Sequence, residues 1–132
     1  MKKNREKINM IIEKTDTGFS AYAEQYPIFT TGKTIPELMR NAYEAISLYF
    51  EEEGEKPPSQ NIRFEIDFKQ FFQYYKVLNA KQLAGRIGMN PALLSQYVRG
   101  QKKPSPAQTR KILDGIHQIG KELAEINLIY ES

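Results

Sequence analysis

Cysteine is absent from the chain, and histidine occurs once, at His117. Disulfides, thiolate metal sites, iron–sulfur clusters and cysteine nucleophiles are therefore excluded, and so is a multi-histidine metal centre. No apolar run approaches the ~20 residues that cross a bilayer. The basic start, Met1 to Arg5, has no apolar stretch behind it and does not read as a secretory signal. These absences predict a soluble cytoplasmic protein with no cofactor. What is present is ordinary in amount: of 132 residues, 40% are hydrophobic and 27% charged, enough to pack a core in one domain or two small ones.

A second absence is local. No Asp or Glu lies between Asp67 and Asp114, and nine bases stand in that gap: Lys69, Lys76, Lys81, Arg86, Arg99, Lys102, Lys103, Arg110 and Lys111. The net charge of +3 hides this division. Residues 1–68 carry nine Lys/Arg against twelve Asp/Glu, whereas residues 69–132 carry ten against four. Excluding carboxylates from one segment points to a polyanionic partner, since each acid would repel phosphates.

The chain breaks at Glu51-Glu-Glu-Gly-Glu-Lys-Pro-Pro-Ser59, where glycine and two prolines end a helix and begin a loop. Before it, Ile8–Lys14 and Phe19–Glu24 read as strands joined by turn residues Thr15 to Gly18, a hairpin. Pro27 interrupts, and Ile28–Thr31 is a short third strand. Thr34 and Glu37 have the spacing of a capping box. The helix behind them carries Leu38, Met39, Ala42, Ala45, Ile46, Tyr49 and Phe50 on one face. After the break, Ile62, Phe64, Ile66 and Phe68 alternate as in a strand with one buried and one wet face. The first part reads β-β-β-α-β, an antiparallel or mixed sheet under one helix.

Beyond Phe68 the signals are helical. Asp67 caps a helix holding Phe68, Phe71, Phe72, Tyr75 and Leu78. Asn79, Asn90 and Ser105 are further N-caps, the last two followed by proline at the first helical position. Gly88 and Gly100 separate these starts. The predicted fold class is α+β, with a sheet-and-helix domain over 1–66 and an all-α domain over 67–132.

Within the all-α part, Leu83, Ala84 and Ile87 give one core face, and Leu94 and Val98 the next. Gly88 supplies the positive φ of a tight turn. Ala92, Ser95, Gln96 and Arg99 are left outward. A helix-turn-helix places the start and outer face of its second helix in the major groove. There Gln96 suits adenine N6/N7 and Ala92 a thymine methyl. The basic turn Gly100 to Pro104 suits phosphates.

Leu83-Ala84, Ile87-Gly88, Leu94-Ser95, Arg99-Gly100 and Lys103-Pro104-Ser105 resemble the Xre/Cro-repressor type of helix-turn-helix over roughly residues 79–116. The resemblance implies a lambda-repressor-like domain in which Asn90, Pro91, Ala92 and Gln96 face bases, while Tyr97, Arg99, Lys102 and Lys103 lie near the DNA backbone. Where family members often carry a phosphate-clamping Gln, this chain has Ala80, and Lys81 is the substitute expected. In the first part, the Gly18-Phe-Ser-Ala-Tyr strand, the Thr31-Gly-Lys-Thr34 turn and the Glu37-Leu-Met-Arg-Asn-Ala-Tyr-Glu-Ala45 helix resemble the N-terminal domain of HicB-type antitoxins. That family has a partial RNase H-like domain, which implies a small basic toxin as partner. The family's Pro-Gly-Cys-like turn is replaced here by Tyr26-Pro-Ile-Phe-Thr-Thr31.

A nuclease is not expected, because two-metal hydrolysis needs several converging carboxylates and the acids of the first part are scattered along its elements. His117 has no nucleophile beside it. Tyr22, Tyr43, Tyr49 and Phe50 are assigned to the core, and Phe71, Phe72, Tyr74 and Tyr75 to packing instead of base stacking. Ile112, Ile116, Ile119, Leu123, Ile126 and Tyr130 recur at heptad-like intervals. The later ones are a candidate dimer surface or a cover for the first domain. The expected protein is a non-enzymatic regulator that binds double-stranded DNA as a homodimer and a toxin through its first domain. The alternative is a solitary repressor whose first domain senses a small ligand or only oligomerises.

Overall fold

The computed structural model describes residues 7–56 and 62–129. Met1 to Arg5, the Pro57-Pro58-Ser59 stretch and Tyr130, all used in the sequence reading, lie outside them. The fold is α+β, and among the described residues it has a four-stranded mixed sheet and five helices. It divides into two compact units, residues 1–74 and 75–132.

In the first unit, β1 (Ile8–Thr15) and β2 (Gly18–Ala23) form the hairpin, with Asp16 and Thr17 as its two-residue loop. β3 (Phe29–Gly32) pairs antiparallel with β2. The chain then enters α1 (Ile35–Glu52) and returns as β4 (Ile62–Ile66), parallel to β1, giving the order β3-β2-β1-β4. Thr34 starts α1 by accepting the Glu37 backbone N–H on its hydroxyl at 3.2 Å. Glu37 reaches back one residue further than a capping box requires and accepts the Lys33 N–H at 3.1 Å. The buried row Leu38, Ala42, Ile46 and Phe50 lies on Ile8, Met10, Ile12, Ala21 and Ala23 of the sheet. The alanines keep helix and sheet close. Burying each of the large side chains is worth about 1.5–3 kcal/mol.

β4 packs Ile62, Phe64 and Ile66 against the core, the face its alternation predicts, and Arg63 and Glu65 pair along it at 2.9 Å. Three sequence expectations are corrected here. The strand stops at Ile66, short of Phe68, and the helix that Asp67 caps, α2 (Phe68–Tyr74), holds Phe68 as expected but ends before Tyr75 and Leu78. Tyr22 and Tyr43 are 39% and 48% exposed and are not core. Finally, the division falls at 74/75 and not at 66/67, since α2 belongs to the first unit. Asp67 donates its N–H to the Ile12 carbonyl at 3.0 Å and caps α2 through the Gln70 N–H. Gln70 then brackets the Lys14 backbone, accepting its N–H at 2.9 Å and donating to its carbonyl at 2.7 Å. The Tyr74 hydroxyl donates to Asp16 at 3.0 Å, and the Lys14 ammonium lies 5.1 Å from the Tyr74 ring.

The second unit holds α3 (Ala80–Ile87), α4 (Pro91–Val98) and α5 (Pro106–Ala124). Asn79, Asn90 and Ser105 cap them as their spacing predicts. Gly88, at φ +69°, ends α3 in the left-handed conformation that only glycine adopts cheaply. The core is Leu83, Ala84, Met89, Leu94, Tyr97 and Ile112. α5 ends at Ala124, so Ile126 lies beyond it. Among the described residues of the expected seam only Ile112 is fully buried, and Leu123 is 63% exposed.

Candidate nucleic-acid interface

The surface of α4 follows from its caps and its buried arc. Asn90, extended at ψ 123°, accepts the Ala92 N–H on its side-chain oxygen at 2.8 Å. Pro91 follows where a missing N–H costs nothing. Leu94 and Tyr97 are buried and Leu93 and Val98 half-buried, which turns one side of the helix inward. Pro91 and Ala92 are exposed; Ser95 and Gln96, one turn on, are half-exposed and share their side. Asn90 and Arg99 stand exposed at the two ends.

The helix closes in a Schellman turn. Gly100, at φ +75°, donates to the Tyr97 carbonyl at 3.1 Å, and Gln101 donates to the Gln96 carbonyl at 2.9 Å. The Gln101 side chain also accepts from Arg99 at a long 3.4 Å. This gives Gln101 a role in placing the guanidinium, one that the sequence did not signal because the contact depends on the turn. Lys102 and Lys103 follow, both exposed.

Tyr97 is the site residue that the structure moves. It was expected beside phosphates, but it is only 5% exposed and packs in the core. Leu94 and Tyr97 are spaced i, i+3, so the signal was available, but a phenol is compatible with either side. Asn90 is also narrowed: its oxygen serves the cap, leaving only its amide N–H groups to offer outward.

All nine bases of the acid-free stretch are exposed, and all but Lys69 belong to the second unit. Arg86 is held by Glu122 of α5 at 2.8 Å. This contact and a 3.2 Å hydrogen bond from Gln118 hold the Glu122 carboxyl below its ordinary 4.5, Arg86 having the larger effect. Lys76, Lys81, Lys102, Arg110 and Lys111 have no ion pair among the described residues. Lys81 is in the first turn of α3, where the expected phosphate contact would lie. The arrangement can bind a polyanion: the second unit presents exposed cations and a short helix whose exposed side is small and free of carboxylate.

Among the described residues no three His, Cys, Asp or Glu side chains gather as a metal site would require, and no helix is long and apolar enough to cross a membrane. No protein-family model matches the chain, and no curated protein matches it in sequence.

Proposed function

We propose that the chain is a DNA-binding transcription regulator, a HicB-type antitoxin that works in the cytoplasm without catalysis. In this reading α3 and α4 form a helix-turn-helix and α4 enters the major groove. Asn90, Pro91, Ala92, Ser95 and Gln96 face the bases, and Lys81, Arg99, Lys102 and Lys103 contact the backbone. Two copies bind a palindromic operator, with recognition helices one DNA turn, ~34–36 Å, apart. The first unit takes a small basic toxin.

One observation carries the reading. The second unit exposes eight bases over 75–113 with no acid among them in the sequence, and it contains a helix, α4, whose exposed side has the size and chemistry of a groove reader. The toxin half has weaker support, resting on the HicB-like strand, turn and helix and on the excess of acid in residues 1–68.

The test is selection of duplexes from a random pool by the full chain, followed by binding across a salt series. A recovered consensus with inverted symmetry, bound less tightly as salt rises, is the expected result. Retention of no duplex in dilute buffer would sink the reading. Copurification from native lysate separates its two halves: a small basic protein in stable complex supports the antitoxin, and operator release by a small ligand without such a protein supports the solitary repressor.

A further inference from the structure

α2 is fastened to the sheet in two different ways along its length. Its first turns are held by backbone partners and by burial. Asp67 donates its N–H to the Ile12 carbonyl, and the Gln70 amide serves both the N–H and the carbonyl of Lys14, as a continuing β4 would have done. Phe68 and Phe72 are buried. Past Phe72 the helix loses that support: Gln73 and Tyr74 are exposed, and the second unit begins at Tyr75.

Tyr74 ties this last stretch to the closed end of the β1–β2 hairpin. Its hydroxyl donates to Asp16 at 3.0 Å, and its ring lies 5.1 Å from the Lys14 ammonium. The same ammonium is 5.2 Å from the Phe19 ring and donates to the Thr15 carbonyl at 2.6 Å, so two rings share it. Contacts of this kind are individually weak at an exposed position. An element end held by them opens locally while the core stays folded.

We propose that Lys14, Asp16 and Tyr74 form a latch that sets the length of the joint between the two units. With the latch closed, the joint runs from Tyr75 to Asn79, the N-cap of α3, and has five residues. With it open, the joint begins at Gln73, just past the buried Phe72, and has seven. At ~3.3–3.6 Å per extended residue, its contour grows from about 17 Å to about 24 Å. A helix end held on the hairpin also fixes the direction in which the chain leaves the first unit, and a freed end does not. Whatever draws Asp16 away from Tyr74 therefore lets the second unit range further. The latch is independent of what the second unit binds, so it and the proposed function can fail separately.

Amide hydrogen exchange of the full chain reads the latch. Tyr74→Phe keeps the ring and removes the hydroxyl. It raises exchange at positions 73 and 74 at least about threefold, while Phe72 and Ile46 exchange as in the parent. Lys14→Met and Asp16→Ala act likewise. Lys14→Arg and Asp16→Asn, which retain a cation and an acceptor, behave as the parent. The joint is read separately. The chain lacks cysteine, so spin labels on Glu44→Cys and His117→Cys, both exposed positions, report how far the second unit ranges. The distribution of distances between the labels is wider with Tyr74→Phe than without it. Unchanged exchange in Tyr74→Phe overturns the proposal. Exchange that rises equally at Ile46 overturns it too, because the contacts then support the whole first unit. Faster exchange at 73 and 74 with an unaltered distance distribution removes the control over the joint.

Discussion

The side-chain oxygen of Asn90 accepts the backbone N–H of Ala92 at 2.8 Å, so the residue that begins α4 is spent on starting the helix. A bidentate pairing with adenine needs both its oxygen and its nitrogen, and the oxygen already accepts one hydrogen bond. In the proposed reading base contacts then rest mainly on Gln96, with apolar contact from Pro91 and Ala92.

Changes at Asn90 therefore separate folding from recognition. Asn90→Ala removes the cap and lowers stability by about 1 kcal/mol. Asn90→Asp keeps an acceptor for the Ala92 N–H and retains that stability, yet it places a carboxylate against phosphate and weakens duplex binding. Urea denaturation and duplex titration of both variants check this. Equal duplex affinity for Asn90→Asp and the parent contradicts the placement of α4 in a groove.

In the proposed reading, Gln96 and Lys102 supply different DNA terms. Gln96→Ala costs about 1–3 kcal/mol on the selected duplex and little on unrelated sequence. Lys102→Ala weakens all duplexes alike and lowers the slope of log affinity against log salt by about one. Titrations on two duplexes across a salt series read both. If Gln96→Ala leaves sequence preference unchanged, the groove-facing side of α4 has been assigned wrongly.

Tyr97, at 5% exposure, is a packing residue. Tyr97→Ala destabilises the second unit by about 3–5 kcal/mol, the range for removing a buried aromatic ring. Tyr97→Phe keeps the ring and leaves duplex affinity at the parent value. A selective loss of DNA binding in Tyr97→Phe, with stability intact, would return the phenol to the DNA backbone.

The Arg86–Glu122 pair makes the stability of the second unit depend on acid. In the unfolded chain Glu122 titrates near 4.5, and in the fold Arg86 first and Gln118 second hold it lower. Its contribution is complete above 4.5 and disappears as pH falls through the folded value. Glu122→Gln reduces the stability lost below pH 4.5, and Arg86→Ala brings the carboxyl back toward 4.5 in a carboxylate NMR titration. Titration of the parent carboxyl at or above 4.5 would refute the pairing in solution.

Local chemistry was the legible part of this protein. The caps Thr34, Asn79, Asn90 and Ser105, the left-handed Gly88 and the hairpin loop at Asp16 and Thr17 all lie within a few residues of the groups they serve. Where several side chains compete for one surface, the sequence was a poorer guide. Tyr22 and Tyr43 alternate or repeat like core residues but face outward. Nothing local marks Gly115, yet it is the point where Ile87 meets α5.

Composition and spacing alone determined the α+β class, the helix starts and the acid-free basic stretch, because each depends on residues near one another in the chain or on a simple count. Tertiary structure decided the rest. Gln70 and Tyr74 fastened α2 to β1 and set the division after Tyr74, packing drew Tyr97 inward, and among the described residues of the α5 seam only Ile112 was fully buried. Each of these turns on which distant side chain reaches a given surface first, and no local pattern encodes that.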